Sequence, residues 1–145
     1  MNSRLAVIDT NVFIGALLGK DGANRKIIRL CLEGKIKPLI GNALFSEYES
    51  LLNREELFIN CPLNQQQRND LLDSFLSVCR WIKIYYLWRP NLKDEADNHI
   101  IELAVAGSAE FIITNNIKDF QNEQITFSQI IIITPTQILQ NNNWD

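Results

Sequence analysis

Leu5-Ala6-Val7-Ile8-Asp9-Thr10-Asn11 is the stretch that decides the fold. Four apolar residues run unbroken into an acid and two small hydrogen-bonding residues. A half-exposed strand would alternate; an unbroken apolar run marks a strand covered on both faces, as in a parallel sheet. In open α/β sheets, chemistry collects just beyond the carboxyl ends of such strands. Asp9 stands at that edge. The pattern nearly recurs at Phe111-Ile112-Ile113-Thr114-Asn115-Asn116, with Asp119 close behind. Two strands ending in small polar and acidic groups point to one shared site.

Working outward, residues 4–9 read as the first strand and Val12 to Leu18 as a short helix or turn, followed by a loop at Gly19 to Gly22. Asn24 to Glu33 has helical spacing through Ile27, Ile28, Cys31 and Leu32, and Gly34 stops it. Ile36 to Ile40 is a second strand, although Pro38 counts against its interior. Asn42 is placed to cap a helix over Ala43 to Asn53, and Leu63 to Val78 is a further amphipathic helix. Trp81 to Tyr86 reads as the third strand, and Asp94 opens a helix that Gly107 ends. Glu110 to Thr114 and Ile130 to Thr134 are the last strands, and Pro135 suits the first turn of a final helix. Strands alternating with helices imply an α/β domain: a three-layer αβα sandwich around a mostly parallel five-stranded sheet.

The 145 residues suffice for a single domain spanning 1–145. No apolar run approaches the roughly 20 residues of a membrane span, and the N-terminus has no signal-peptide pattern. The expectation is a cytoplasmic protein without a membrane partner. Cys31, Cys61 and Cys79 are odd in number and lack ligand spacing, so they read as reduced packing residues. A net charge of −3 argues against broad, nonspecific grip on nucleic acid. It leaves room for a local patch: Arg25, Lys26, Arg29, Lys35 and Lys37 share one window. That window is either a solvated helix face or a contact for a phosphate backbone.

Asp97 shares a helix face with Ile100, Ile101 and Ala104, three, four and seven residues along. It is either a first-turn acid answering the helix dipole or a carboxylate aimed at the edge of the core. Glu47 falls on the same stripe as Ala43, Leu44 and Leu51, an anomaly on an amphipathic helix. It needs either an Arg or Lys partner or a function. Asp119 follows the fourth strand, where an acid is often turn chemistry. Doubly wound topology can bring all of these to one edge with Asp9.

Two carboxylates about 5 Å apart repel by roughly 3 kcal/mol at an effective dielectric of 20. A cluster of three or four persists only by taking up protons, pairing with cations or binding metal. Oxygen ligands suit Mg²⁺ or Mn²⁺. Zinc is disfavoured, because the sole histidine, His99, has no suitably spaced His or Cys partner. Glycine-rich phosphate loops and nucleophile elbows are missing. Metal-assisted hydrolysis at phosphate is the chemistry left.

Ile8-Asp9-Thr10-Asn11-Val12-Phe13, Ser46-Glu47-Tyr48, Asp94-Glu95-Ala96-Asp97-Asn98 and Ile113-Thr114-Asn115-Asn116-Ile117-Lys118-Asp119-Phe120 stand in this order. In order and spacing they resemble the PIN domain family, metal-dependent ribonucleases common among bacterial toxins. The similarity is greatest to the toxin branch of toxin–antitoxin pairs. The resemblance implies that Asp9, Glu47 and Asp97 hold Mg²⁺ or Mn²⁺, and that Thr10, Asn11 and Thr114 orient them. Many relatives carry an acid where this chain has Asn116; either Asp119 supplies the fourth carboxylate from the adjacent turn, or the site has three acids and binds a second metal more weakly. The activity implied is hydrolysis of single-stranded RNA to a 5′-phosphate and a 3′-hydroxyl. Arg25, Lys26 and Arg29 would touch the RNA backbone. The partners implied are an antitoxin and, as a family expectation, a second copy in a homodimer.

Two other readings fit parts of the chain. A PIN-fold module without catalysis, binding protein or RNA, would explain Asn116 and would need no metal. Leu57, Phe58, Ile59, Trp88 and Trp144 are candidate apolar contacts for a partner. An aspartyl-phosphate phosphatase also begins with a strand ending in Asp, but its second acid would fall on Asn11.

Overall fold

The computed structural model describes residues 4–19, 22–84, 98–120 and 129–144. Its elements run β1 (Arg4–Ile8), α1 (Thr10–Leu18), α2 (Gly22–Leu32), β2 (Ile36–Ile40), α3 (Asn42–Leu52), α4 (Gln65–Val78), β3 (Arg80–Trp81), α5 (Asn98–Ala106), β4 (Phe111–Ile113), β5 (Ile131–Ile133) and α6 (Pro135–Asn141). Short 3₁₀ turns cover Glu55–Phe58 and Ile117–Phe120. The sheet is wholly parallel, in the order β3-β2-β1-β4-β5. Ala6, Val7 and Ile8 are all buried, although successive strand side chains point to opposite faces. Both faces are therefore covered, as the apolar run at Leu5 to Ile8 required.

Strand order sets where a site can form. The chain leaves β1 toward β2 and β3 on one side, then returns to β4 and β5 on the other. The crevice lies where that direction reverses, beyond the carboxyl ends of β1 and β4. Pairing of Ile8 with Ile113 puts Asp9 beside Thr114 there, and the Asp9 amide donates to the Ile113 carbonyl at 3.0 Å.

Several boundaries differ from the sequence reading. α1 starts at Thr10, because the Asp9 side chain accepts from the Thr10 amide and caps the helix. Asn42 is the first residue of α3 rather than its cap; Gly41 takes the cap position without a side-chain bond. α4 begins at Gln65, where Asn64 and Gln67 form a reciprocal capping box. β3 is only Arg80–Trp81, with the Ile82 amide adding a bond to the Ile40 carbonyl at 2.8 Å. Tyr85, Tyr86, Trp88 and Asp94 to Asp97 lie outside the described residues.

Pro38 stays inside β2 for a geometric reason. Along a strand, alternate residues bond to the same neighbour. Ile40 bonds toward β3, so the missing amide of Pro38 faces β3 as well. That short strand first pairs at Leu39, and no ladder bond is lost.

Phe13, Tyr48 and Phe75 meet at the centre of the core, with ring centroids 5.3 to 5.7 Å apart. Tyr48 is fully buried and donates its hydroxyl to the Ile8 carbonyl at 2.8 Å. This ties α3 to the end of β1, one residue from Glu47 on one side and one residue from Asp9 on the other. Tyr48→Phe would strand a buried acceptor. The expected loss is about 1–2 kcal/mol of stability, read from urea unfolding.

The cysteines are free thiols. Burial raises the Cys31 thiol and pushes Cys79 up to about 12, so both are protonated packing groups. At the opposite sheet edge, Arg4 forks onto Glu110 and lies over the rings of Phe111 and Trp144. The hydrogen bond from Arg4 holds the Glu110 carboxyl below its ordinary range. A carboxylate lowered on folding adds stability above its unfolded pKa, about 4.3, and loses it as pH falls through the folded value. The stability difference between wild type and Glu110→Gln should thus be present at pH 7 and be lost progressively as pH falls from about 4.3 through the lowered folded value. Both side chains are partly exposed, so it should stay under about 1 kcal/mol.

Candidate active site

Asp9 is only 7% exposed, and described donors occupy both of its oxygens. Oδ1 accepts from the Thr10 amide at 2.8 Å. Oδ2 accepts from the Thr114 hydroxyl at 2.8 Å and from Asn11 Nδ2 at 3.2 Å. A carboxylate offers roughly four acceptor positions, so these donors leave one. Burial above all pushes the Asp9 carboxyl upward; the Thr114 hydrogen bond pulls it back, and the nearby charge of Glu47 raises it again.

Thr10 joins the two acids. Its amide donates to Asp9, and its hydroxyl donates to Glu47 Oε1 at 2.8 Å. Glu47 Oε2 pairs with His99 Nε2 at 3.0 Å, on α5. The partner of Glu47 is thus a histidine, where the sequence suggested an arginine or lysine. The hydrogen bond from His99 holds the Glu47 carboxyl below its ordinary range, with burial opposing and Thr10 assisting.

Behind Asp9, amides and hydroxyls form a continuous net. Thr114 accepts from the Asn116 amide at 3.0 Å and from Asn11 Nδ2 at 3.3 Å. Asn11 Oδ1 accepts from the Asn115 amide and its side chain, at 3.1 and 3.2 Å. The Asn115 side chain also donates to Asn24 Oδ1 at 3.1 Å. Asn24 reaches this point because Gly15 leaves space on α1: a Cβ there would sit 2.2 Å from Asn24 Nδ2. Asn24, Asn115 and His99 went unrecognised as site residues in the sequence. An asparagine at the head of the apolar stripe formed by Ile27, Ile28 and Cys31 on α2 was the one available signal.

The other candidates stand apart from that net or lie outside the described residues. Asp97 lies outside the described residues, and among the described ones no three His, Cys, Asp or Glu side chains gather as a metal site. Asp119 sits exposed on the 3₁₀ turn Ile117–Phe120, lining a cleft with Asn115, Asn116, Ile117 and Lys118. Its backbone amide donates to the Asn116 carbonyl at 3.1 Å. The net described above does not include its carboxylate. Arg25 donates to the Ala16 carbonyl at 3.1 Å, answering the last turn of α1. Lys26 and Arg29 line a groove with Lys35 and Trp144. Lys35 precedes β2, so this groove opens on the strand-start edge, opposite Asp9.

Two carboxylates bridged by a threonine, each with an acceptor position beyond its described donors, offer an all-oxygen ligand set. That set fits a hard divalent cation of the Mg²⁺ or Mn²⁺ kind. Among the described residues no helix is long and apolar enough to cross a membrane.

A search of curated proteins finds no match. Among solved structures, the chain is similar to that described as VapBC2 from Rickettsia felis bound to a DNA fragment from their promoter. The two share 18% identity at a TM-score of 0.56, covering 90% of this chain and 98% of the other. That likeness establishes the fold. The family model for the PIN domain matches residues 5–118, from the first strand through the Thr114–Asn116 loop. This chain belongs to the PIN domain family.

Proposed function

We propose that this protein is a metal-dependent endoribonuclease that hydrolyses single-stranded RNA. The observation that carries the reading is the Thr10 bridge, which holds Asp9 and Glu47 together at the sheet's topological switch point. Asp9 and Glu47 would hold Mg²⁺ or Mn²⁺, with Asp97 as a third ligand and Asp119 as a fourth from its exposed turn. A divalent cation there supplies Lewis acidity at the phosphodiester and an activated water. Thr114, Asn11 and the Thr10 amide keep Asp9 in one rotamer, with its remaining acceptor position open. The products would be a 5′-phosphate and a 3′-hydroxyl. Backbone contact by Lys26 and Arg29 requires an RNA that crosses α2 to the opposite edge, and it would be salt-dependent.

The toxin role, with an antitoxin as partner, follows the motif resemblance and is supported by the likeness to the VapBC2 fold. Of the candidate contacts, Leu57 and Ile59 are exposed, Ile59 at 78%, and would meet that partner. Phe58 is buried beneath the Arg68 guanidinium, and Trp144 packs partly against the core.

The test is cleavage of labelled single-stranded RNA with Mg²⁺, Mn²⁺ or EDTA. Cutting that needs metal supports the enzyme. An intact RNA in every arm, together with no Mn²⁺ binding by titration, would turn the reading to a binding module on the same fold.

A further inference from the structure

We propose that His99 is a positioning residue that locks the Glu47 carboxylate for a divalent cation; this rests on the metal-dependent reading above. A glutamate side chain has three torsions to fix, and one hydrogen bond leaves its carboxylate free to turn. Here Thr10 holds Oε1 at 2.8 Å and His99 holds Oε2 at 3.0 Å, so the carboxylate plane is pinned at both ends.

The donor's identity follows from the contacts. An ionised carboxylate only accepts, so Nε2 carries the hydrogen in this pair. Nδ1 is buried and has no hydrogen-bond partner among the described residues.

His99 can hold a fixed point because its helix is anchored. Ile100, Ile101, Leu103 and Ala104 are buried in the core just beyond it, and α5 packs on β1, β2, β4 and α3. The imidazole therefore references Glu47 to the sheet through an element distant in sequence from both acids.

The experiment compares wild type, His99→Leu and His99→Gln by calorimetric Mn²⁺ titration, and by RNA cleavage across Mn²⁺ concentrations. The Gln amide nitrogen can stand where Nε2 stands. His99→Leu is expected to weaken Mn²⁺ binding at least about tenfold, whereas His99→Gln should stay within about threefold of wild type. Cleavage by His99→Leu should recover at saturating Mn²⁺ with an unchanged KM for RNA, because only the ligand's orientation has been loosened. Equal Mn²⁺ affinity in His99→Leu and wild type overturns the proposal, and so does a Gln variant as weak as Leu. If wild type itself binds no Mn²⁺, the metal-dependent reading falls, and the assignment of His99 falls with it. Should His99→Leu not fold, His99→Phe provides the same comparison without a donor.

Discussion

Asp9→Asn is expected to cut metal-dependent RNA cleavage by roughly a thousandfold or more while leaving the fold intact. Loss of one carboxylate ligand removes several kcal/mol of transition-state stabilisation, and about 4 kcal/mol is a factor of 10³. The fold should survive for two reasons. Asparagine caps helices as well as aspartate, so the bond that starts α1 can be remade. The charge itself is also a burden on the folded state, since burial raises the Asp9 carboxyl above its ordinary range. A group whose pKa rises on folding subtracts stability once pH passes its unfolded value near 3.9, and keeps subtracting up to the folded value. At pH 7 the neutral amide removes that penalty. It also sets the new amide NH₂ against both donors that Oδ2 now accepts, the Thr114 hydroxyl and Asn11 Nδ2, of which only the hydroxyl can turn to accept. The melting temperature should therefore lie within about 3 °C of wild type or above it. Full cleavage activity in Asp9→Asn would refute the site assignment, and a collapsed fold would refute the electrostatic argument.

Phe13→Ala should have the largest effect on stability. Phe13 is fully buried on α1, edge-on to Tyr48 and tilted against Phe75. Truncating a buried phenylalanine costs about 3–5 kcal/mol through lost transfer energy and the cavity left behind. A domain holds only about 5–15 kcal/mol in total, so much of the margin goes. The cavity opens beside Tyr48, whose hydroxyl ties α3 to Ile8. Cleavage should fall along with the urea midpoint, because Glu47 rides on the loosened helix. Phe13→Leu, which fills most of the volume, should recover most of both. A loss below about 1 kcal/mol in Phe13→Ala would show that the three-ring cluster is not the keystone of this core.

The two variants separate the roles of neighbouring positions. Asp9 and Phe13 lie on the same turn of chain, four residues apart, yet one should cost activity with little stability and the other both. Burial alone would not distinguish them. The chemistry of what each touches does.

The chain's local patterns were sufficient for most of the described elements and for several of the candidate side chains that the fold brings together. Leu5 to Ile8 and Phe111 to Ile113 are unbroken apolar runs, and a residue buried on both sides of a strand needs no distant information to be recognised. Asp9, Thr10, Asn11 and Thr114 were legible because they follow those runs directly, and Glu47 because an acid interrupts an apolar helical stripe. What local pattern does not contain is which elements become neighbours. His99 meets Glu47 across 52 residues, and Asn115 meets Asn24 across 91. These pairings depend on strand order and register, which place α3, α5 and the N-terminus of α2 around the ends of β1 and β4. The same topology sends Lys26 and Arg29 to the opposite edge, although in sequence they follow Asn24 by only two and five residues. Sequence by itself marked Asp9, Thr10, Asn11, Glu47 and Thr114 as candidate side chains. Tertiary structure decided their partners, because hydrogen bonds act over about 3 Å and only the folded sheet brings distant residues that close.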